Sequence, residues 1–364
     1  MAGRVTIQDI ADALGLSRNT VSKAINNTDN IAEATREKIL RKAMEMGYKT
    51  FSYAGMRKGP GTDAEPFPYI PAAEGSKKNI ALFRGSFLDS SHFASTMLDK
   101  LQSELSLFGY TLTIHPIMQE DFALCRLPLS FDEQNTAAII CVEVFDYAYC
   151  QMLCSQGLPL LLVDAPVDTC TSPLTADILL MENASGIYQI VKAAKQSGVT
   201  KIGFVGQPMH CRSFYERYMA FREAMYANSL PIDEACCLTG VHPHGVDYRA
   251  ALRAHIQKMD HLPELFVCAN DFVAIDVIIA LRTLGLTCPG DILLSGFDDA
   301  PESVVVTPSL TTCHIHTQII GLSAAHMLLA RIGQPELNYR IVHTETHLIY
   351  RESTRGEFNN AKHN

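Results

Sequence analysis

The stretch VTIQDIADALGLSRNTVSKAI, Val5 to Ile25, decides how the chain is read, because its apolar residues recur at helical spacing and the pattern breaks once, at a glycine. Thr6 stands where it can cap a first helix, with Asp9 three residues on in the capping-box position. Ile7, Ile10, Ala11 and Leu14 fall on one face of that helix. Gly15 supplies the turn, and Ser17 caps a second helix in which Val21, Ala24 and Ile25 point inward. Arg18, Asn19, Ser22 and Lys23 are left facing out. Two short helices joined by a tight turn, the second with a polar face on display, fit an element that lays its second helix in the DNA major groove.

The outward residues suit that task. A guanidinium bonds bidentately to guanine O6 and N7, and a carboxamide does the same to adenine N6 and N7, so Arg18 and Asn19 are the expected base readers. Ser17, Thr20 and Ser22 carry short hydroxyls suited to phosphate oxygens, which fix orientation without carrying sequence information. Lys23 suits either role. The competing reading is an ordinary helical hairpin with a solvated polar face.

Continued through the helical TREKILRKAMEMGY to Tyr48, this stretch resembles the headpiece of the lactose-repressor (LacI/GalR) family of bacterial transcription regulators. The resemblance implies base reading by Arg18 and Asn19, a contact from Lys23 four residues further on, and phosphate contacts from Asn26 and Thr35. Thr6 is counted with these as a DNA contact. Ala32 departs from the family, which usually has a serine capping the third helix there. The family hinge departs too: GYKTFSYAGMRKGPG has no proline after Tyr48, and Met56 stands near the family's minor-groove leucine. The headpiece is expected over 1–58, followed over 59–78 by an atypical hinge and tether rich in Pro, Gly and Ala.

The net charge of −9 argues against nucleic acid only until its distribution is read. Residues 1–60 hold ten Lys and Arg against six Asp and Glu, a balance of +4, which leaves −13 on the remainder. An acidic body behind a basic headpiece repels DNA everywhere except where the headpiece docks. Eleven cysteines occur with no CxxC pair and no zinc-finger spacing, and read as mostly buried thiols; the pairs Cys150/Cys154 and Cys236/Cys237 could bind metal or react, with small apolar packing the favoured reading. A polar N-terminus and the lack of a long apolar run predict neither signal peptide nor membrane helix, and a cytoplasmic, nucleoid-associated protein.

From Asn79 the chain alternates apolar runs with amphipathic helices. NIALF, TLTIH, AAIICVEV, LPLLLVD, KIGFVG, LFVCAN and DILLSGF read as strands, most of them apolar enough to be covered on both faces of a parallel sheet. This gives a doubly wound α/β class, in which ligands sit at the carboxyl ends of strands. CANDFVAIDVIIALRTLGLTCPGDILLSGFDDAP, PSLTTCHIH and LIYREST resemble the family's effector core, a two-lobed fold of the type I periplasmic-binding-protein kind over 79–356. That topology implies a first lobe of about 79–176 and 310–339, a second of about 177–309 and 340–356, and a tail over 357–364.

The resemblance also places the pocket. Arg217 aligns with an arginine that grips ligand hydroxyls or a carbonyl, and Asp298 with a carboxylate that accepts from ligand OH or NH groups. Asp299 reads as structural, whereas Asp164 and Asn270 end strands and either meet ligand or satisfy loop amides. His92, Phe93 and His242 stand at positions where the family places aromatic rings against the ligand. Asp276 replaces a usual glycine and either faces solvent or reshapes the cleft. This mixture suits a neutral polyhydroxylated ligand, a sugar first, with a purine or phosphosugar open. No GxxxxGK[ST], GxSxG or HExxH occurs, so no enzyme, cofactor or metal is expected; His242 and His244 have no ligand partner at metal spacing. The whole reads as an allosteric transcription regulator, a homodimer on a near-palindromic operator, because GEFNNAKHN after Arg355 has no heptads for a further coil.

Overall fold

The computed structural model describes residues 6–26, 35, 38, 39, 42, 43, 46, 77–85, 92–240 and 248–354, the side chains of Ile25, Asn26, His92, Phe93 and Ala94 excepted. The chain divides into two compact units, 1–68 and 69–364. Residues 59–76 of the expected hinge, the tail, Ala32 and His242 lie outside the described residues.

In the first unit, α1 (Ile7–Leu14) opens on Thr6, whose hydroxyl accepts from the Asp9 amide while Asp9 accepts from the Thr6 amide, the full capping box. Gly15 ends it at φ 65, a left-handed conformation that a Cβ would strain. Ser17 caps α2 (Arg18–Asn26): its Oγ accepts from the Thr20 amide at 3.0 Å. Ile10, Ala11, Val21 and Ala24 pack with Ile39 and Ala43 into a small core, so the apolar stripes of both helices are consumed inward.

The second unit opens with β1 (Asn79–Arg84), α3 (His92–Ser106), β2 (Thr111–Pro116), α4 (Gln119–Leu124), β3 (Thr136–Val142), α5 (Tyr147–Cys154), β4 (Leu160–Val163) and β5 (Asp177–Met181). It continues through α6 (Ser185–Gln196), β6 (Ile202–Val205), α7 (Arg212–Ala227), α8 (Tyr248–Gln257), β7 (Leu265–Cys268), α9 (Asp271–Thr283), β8 (Leu293–Ser295) and α10 (Glu302–Val305). β9 (Thr312–Ile315), α11 (Thr317–Gly333), β10 (Ile341–Thr344) and β11 (Thr346–Ile349) complete it.

Six strands form one sheet in the order β10-β5-β4-β3-β1-β2, all parallel. Because side chains alternate along a strand, Ile80 and Leu82 of β1 face one core and Ala81 and Phe83 the other. A second parallel sheet has the order β6-β7-β8, and β9 and β11 pair antiparallel. The α/β class and the run of parallel strands are therefore present as expected. The lobe boundaries are not. β5 and β10, expected in the second lobe, hydrogen-bond to each other inside the six-stranded sheet, and β9, expected in the first, pairs with β11 and bridges Asp298 through His314. Ladder pairing decides the matter: the first lobe holds β1 to β5, α11 and β10, and the chain crosses between lobes at 182–184, 316 and 345. Arg331 of α11 fastens this arrangement by bonding both oxygens of buried Asp177 at the head of β5, at 2.9 and 3.0 Å.

Candidate DNA interface and effector cleft

The residues expected to read DNA lie on and around α2. Arg18 and Asn19 are exposed on the first turn of α2, and neither side chain has a hydrogen bond or ion pair among the described residues. Ser17 and Thr20 are less free, since their hydroxyls bond each other at 2.7 Å and Ser17 is already the cap. Thr6 Oγ1 likewise lies 2.8 Å from Asp9. Ser22 and Lys23 are half-buried on α2, Asn26 is its last residue, and Thr35 is helical and half-buried.

The cleft is built where strands of both sheets end. Arg217, in the second turn of α7, is only 2% exposed yet carries a full positive charge, so every donor needs a partner. Its Nε donates to Asn183 Oδ1 at 2.9 Å on the crossing after β5, and its Nη1 to the carbonyl of Ala269 after β7 at 2.7 Å. Its Nη2 lies 3.4 Å from Asp298 Oδ1, and its guanidinium rests 3.6 Å from the ring centre of buried Phe297. One side chain thus joins the first lobe to two strand ends of the second.

Asp298 follows β8 at φ 112, and burial pushes its carboxyl up to about 6, against the pull of Arg217 and with the push of Asp164. Its neighbour Asp299 goes the other way: burial opposes ionisation, but hydrogen bonds from His314 and Arg351 bring it down to about 2. Asp299 is structural, as read from the sequence. Asp271 beneath them is buried, accepts from the Ala300 amide and the Thr312 hydroxyl, and leaves no room for a Cβ at Gly296, which would stand 2.1 Å from Oδ1.

Asp164 and Asn270 both satisfy backbone amides. Asp164 Oδ1 accepts from Ala165 at 2.8 Å and from Ser213 at the head of α7 at 3.2 Å, making it a latch between the lobes. Asn270 caps α9 by accepting from Val273 at 2.9 Å. His92 and Phe93 open α3, with side chains outside the described set. Asp276 is partly exposed and engaged: it accepts from Arg249, tying α9 to α8 at 2.6 Å. The eleven cysteines are all free and six are buried, as their composition implied.

Sequence reasoning missed an aromatic row. His210 stacks 5.2 Å from Phe145 of the first lobe and 5.1 Å from Phe214 on α7, beside Arg217. All three residues are half-buried, and Phe145 directly follows the run AAIICVEV, the signal that picked out Asp164 and Asn270. Asn183 was missed as well, since nothing local marks a crossing between lobes. On the ribbon that carries two of those crossings, His314, His316 and His347 place their rings 4.9 to 5.0 Å apart, and burial with the neighbouring imidazoles depresses His316 to about 4.

A helix-turn-helix headpiece ahead of a two-lobed core is the arrangement of a DNA-binding transcription regulator. The comparisons agree. Residues 6–50 match the family described as bacterial regulatory proteins, lacI family, and residues 191–354 match the periplasmic binding protein-like domain. The HTH-type transcriptional repressor PurR of Vibrio parahaemolyticus is 25% identical over 353 residues, covering 96% of this chain and 98% of that one. The structure of the transcriptional regulator CelR with cellobiose superposes with a TM-score of 0.66 at 22% identity, covering 96% of this chain and all of that one. The lac repressor dimer bound to operator and an anti-inducer gives 0.61 at 18% identity, covering 97% and 99%. The chain thus carries a lacI-family headpiece domain and a periplasmic-binding-protein-like domain, and the relatives it matches are HTH-type transcriptional regulators.

Proposed function

We propose that the protein is a repressor acting as a homodimer on a near-palindromic operator, each headpiece reading one half-site, under the control of a sugar bound between the lobes. The observation that carries the reading is the pair Arg18 and Asn19, exposed and, among the described residues, unengaged on the first turn of a capped helix. The sugar is supported by the cleft's mixture of Arg217, Asp298 and the Phe145, His210, Phe214 row, since bidentate polar groups orient hydroxyls while rings cover a sugar's apolar face. Cellobiose in the structurally similar CelR complex points the same way.

Dimerisation is supported by exposed apolar side chains on the first lobe. Leu107, Ile114 on the edge strand β2, Met118, Leu124 and Leu129 all stand open to water. Acting on DNA places the protein in the cytoplasm at the nucleoid, and no described helix is long and apolar enough to cross a membrane. An anionic effector such as a phosphosugar is the second reading, favoured by Arg84 at the carboxyl end of β1, whose buried Nε has no hydrogen bond among the described residues.

Control follows linkage: an effector alters DNA affinity only through its different affinities for the two states, and DNA alters effector affinity by the same factor. Operator selection from random DNA with the purified protein, repeated with sugars, sugar phosphates and nucleobases, tests the whole reading. A palindromic consensus whose occupancy shifts with one compound is expected. Absence of any consensus overturns it.

A further inference from the structure

Outside the cleft, three different metal-ligand chemistries meet on the second lobe. Asp233 and Cys236 flank the single turn after α7, and His261 lies in the loop that leads into β7. This is the amino-terminal end of the strands, opposite the end that carries Asn270 and Asp298. Asp233 Oδ1 accepts from the Ala235 amide at 3.0 Å, which leaves Oδ2 to the other two side chains. Oδ2 lies 2.8 Å from His261 Nε2 and 3.6 Å from Cys236 Sγ, and the three atoms all fall within 4.8 Å of one another.

Tetrahedral zinc, with bonds of about 2.0 Å to N and O and about 2.3 Å to S, holds its ligand atoms roughly 3.3 to 3.7 Å apart. The observed separations need shifts of only a few tenths of an ångström for the measured pairs. Cys236 is 2% exposed and fixed, its carbonyl lying where a Cβ on Gly203 of β6 would stand, whereas Asp233 and His261 are exposed. The thiol is thus held on rigid backbone while the site stays open to solvent. A thiolate, an imidazole and one carboxylate select a zinc-class ion over magnesium or calcium, which take oxygen.

We propose that Asp233 Oδ2, Cys236 Sγ and His261 Nε2 form a binding site for a zinc-class divalent cation, with water in the fourth position. As the metal–sulfur bond forms, the Cys236 proton passes to solvent, and the bound ion clips the segment after α7 to the loop before β7.

Cobalt(II) titration of the reduced, metal-free full-length protein tests this. One equivalent should bind with a near-ultraviolet thiolate-to-cobalt band and tetrahedral visible bands, displaced by zinc. Cys236→Ser should abolish the thiolate band. His261→Ala, a change at an exposed side chain that leaves the fold intact, should weaken binding by about tenfold or more. Cys237→Ser should leave the spectrum unchanged. Absence of the thiolate band, its survival in Cys236→Ser, or His261→Ala binding as tightly as the parent would overturn the assignment.

Discussion

Arg18 and Arg217 live in opposite circumstances. The first is exposed on a surface helix and bonds nothing among the described residues, while the second is 2% exposed and bonds Asn183, Ala269 and Asp298 over the ring of Phe297. Water satisfies an exposed guanidinium until a base edge replaces it, so a surface reader needs no partner in the free protein. A buried guanidinium has no such reserve and must be satisfied by the fold itself. The proposed effector therefore has to exchange bonds with a network that already spans both lobes, and each exchange alters how the lobes are held. Coupling is built into the cleft in a way it is not in the headpiece.

The largest effect expected from this contrast is on stability. Arg217→Ala strips a buried ion pair of one partner, and the free energy of denaturant unfolding of the core should fall by about 3 to 5 kcal/mol. Unchanged stability would break the contrast outright. Arg18→Ala should leave unfolding untouched and weaken specific operator binding by about 1 to 3 kcal/mol, with relaxed preference at one base pair. Smaller again, Ser17→Ala removes the cap of α2 and should cost the headpiece about 1 kcal/mol, read as faster amide exchange at Thr20 and Val21.

The smallest effect is a pH dependence in which cleft and ribbon oppose each other. Burial holds Asp298 near 6 against an ordinary 3.8, so between about pH 4 and 6 the folded chain keeps a proton that the unfolded chain lacks, and stability falls as pH rises. His316, held near 4 against an ordinary 6.5, acts in reverse: the unfolded chain takes up the proton first, and stability falls as pH falls. Asp299 and Glu216, both near 2 against ordinary values of 3.8 and 4.5, add a loss as pH falls that begins at the lower end of this window and continues below it, in the parent and the variant alike. Asp298→Asn should therefore lose stability from pH 6.5 to 4 more steeply than the parent in a series of denaturant titrations. A parallel profile would show that Asp298 is not protonated in the fold.

Local physics was legible in the sequence, and partnership across distance was not. Thr6, Gly15 and Ser17 act within three or four residues of themselves, so their caps and turn could be read directly. The buried strands announced themselves as apolar runs. β10 did not, because Ile341 and His343 face water at a sheet edge and only Thr344 is buried. Its pairing with β5, more than a hundred and fifty residues earlier, leaves no periodic trace. The same holds for Arg217, whose chemistry was recognised but whose commitment to Asn183 and Ala269 depends on where three distant strands end.

That edge pairing also orders events on the ribosome. The second lobe's sheet and its helices α6 to α9 are complete once residue 295 has been made, and they form one uninterrupted length of chain. The first lobe's sheet is begun earlier than this one and finished later: β5 has no neighbour on its outer side, and Asp177 no arginine, until α11 and β10 have emerged. The nascent protein therefore carries a half-built sheet with an open edge while its second lobe folds, and this edge is where a chaperone, or another unfinished chain, would find its hold.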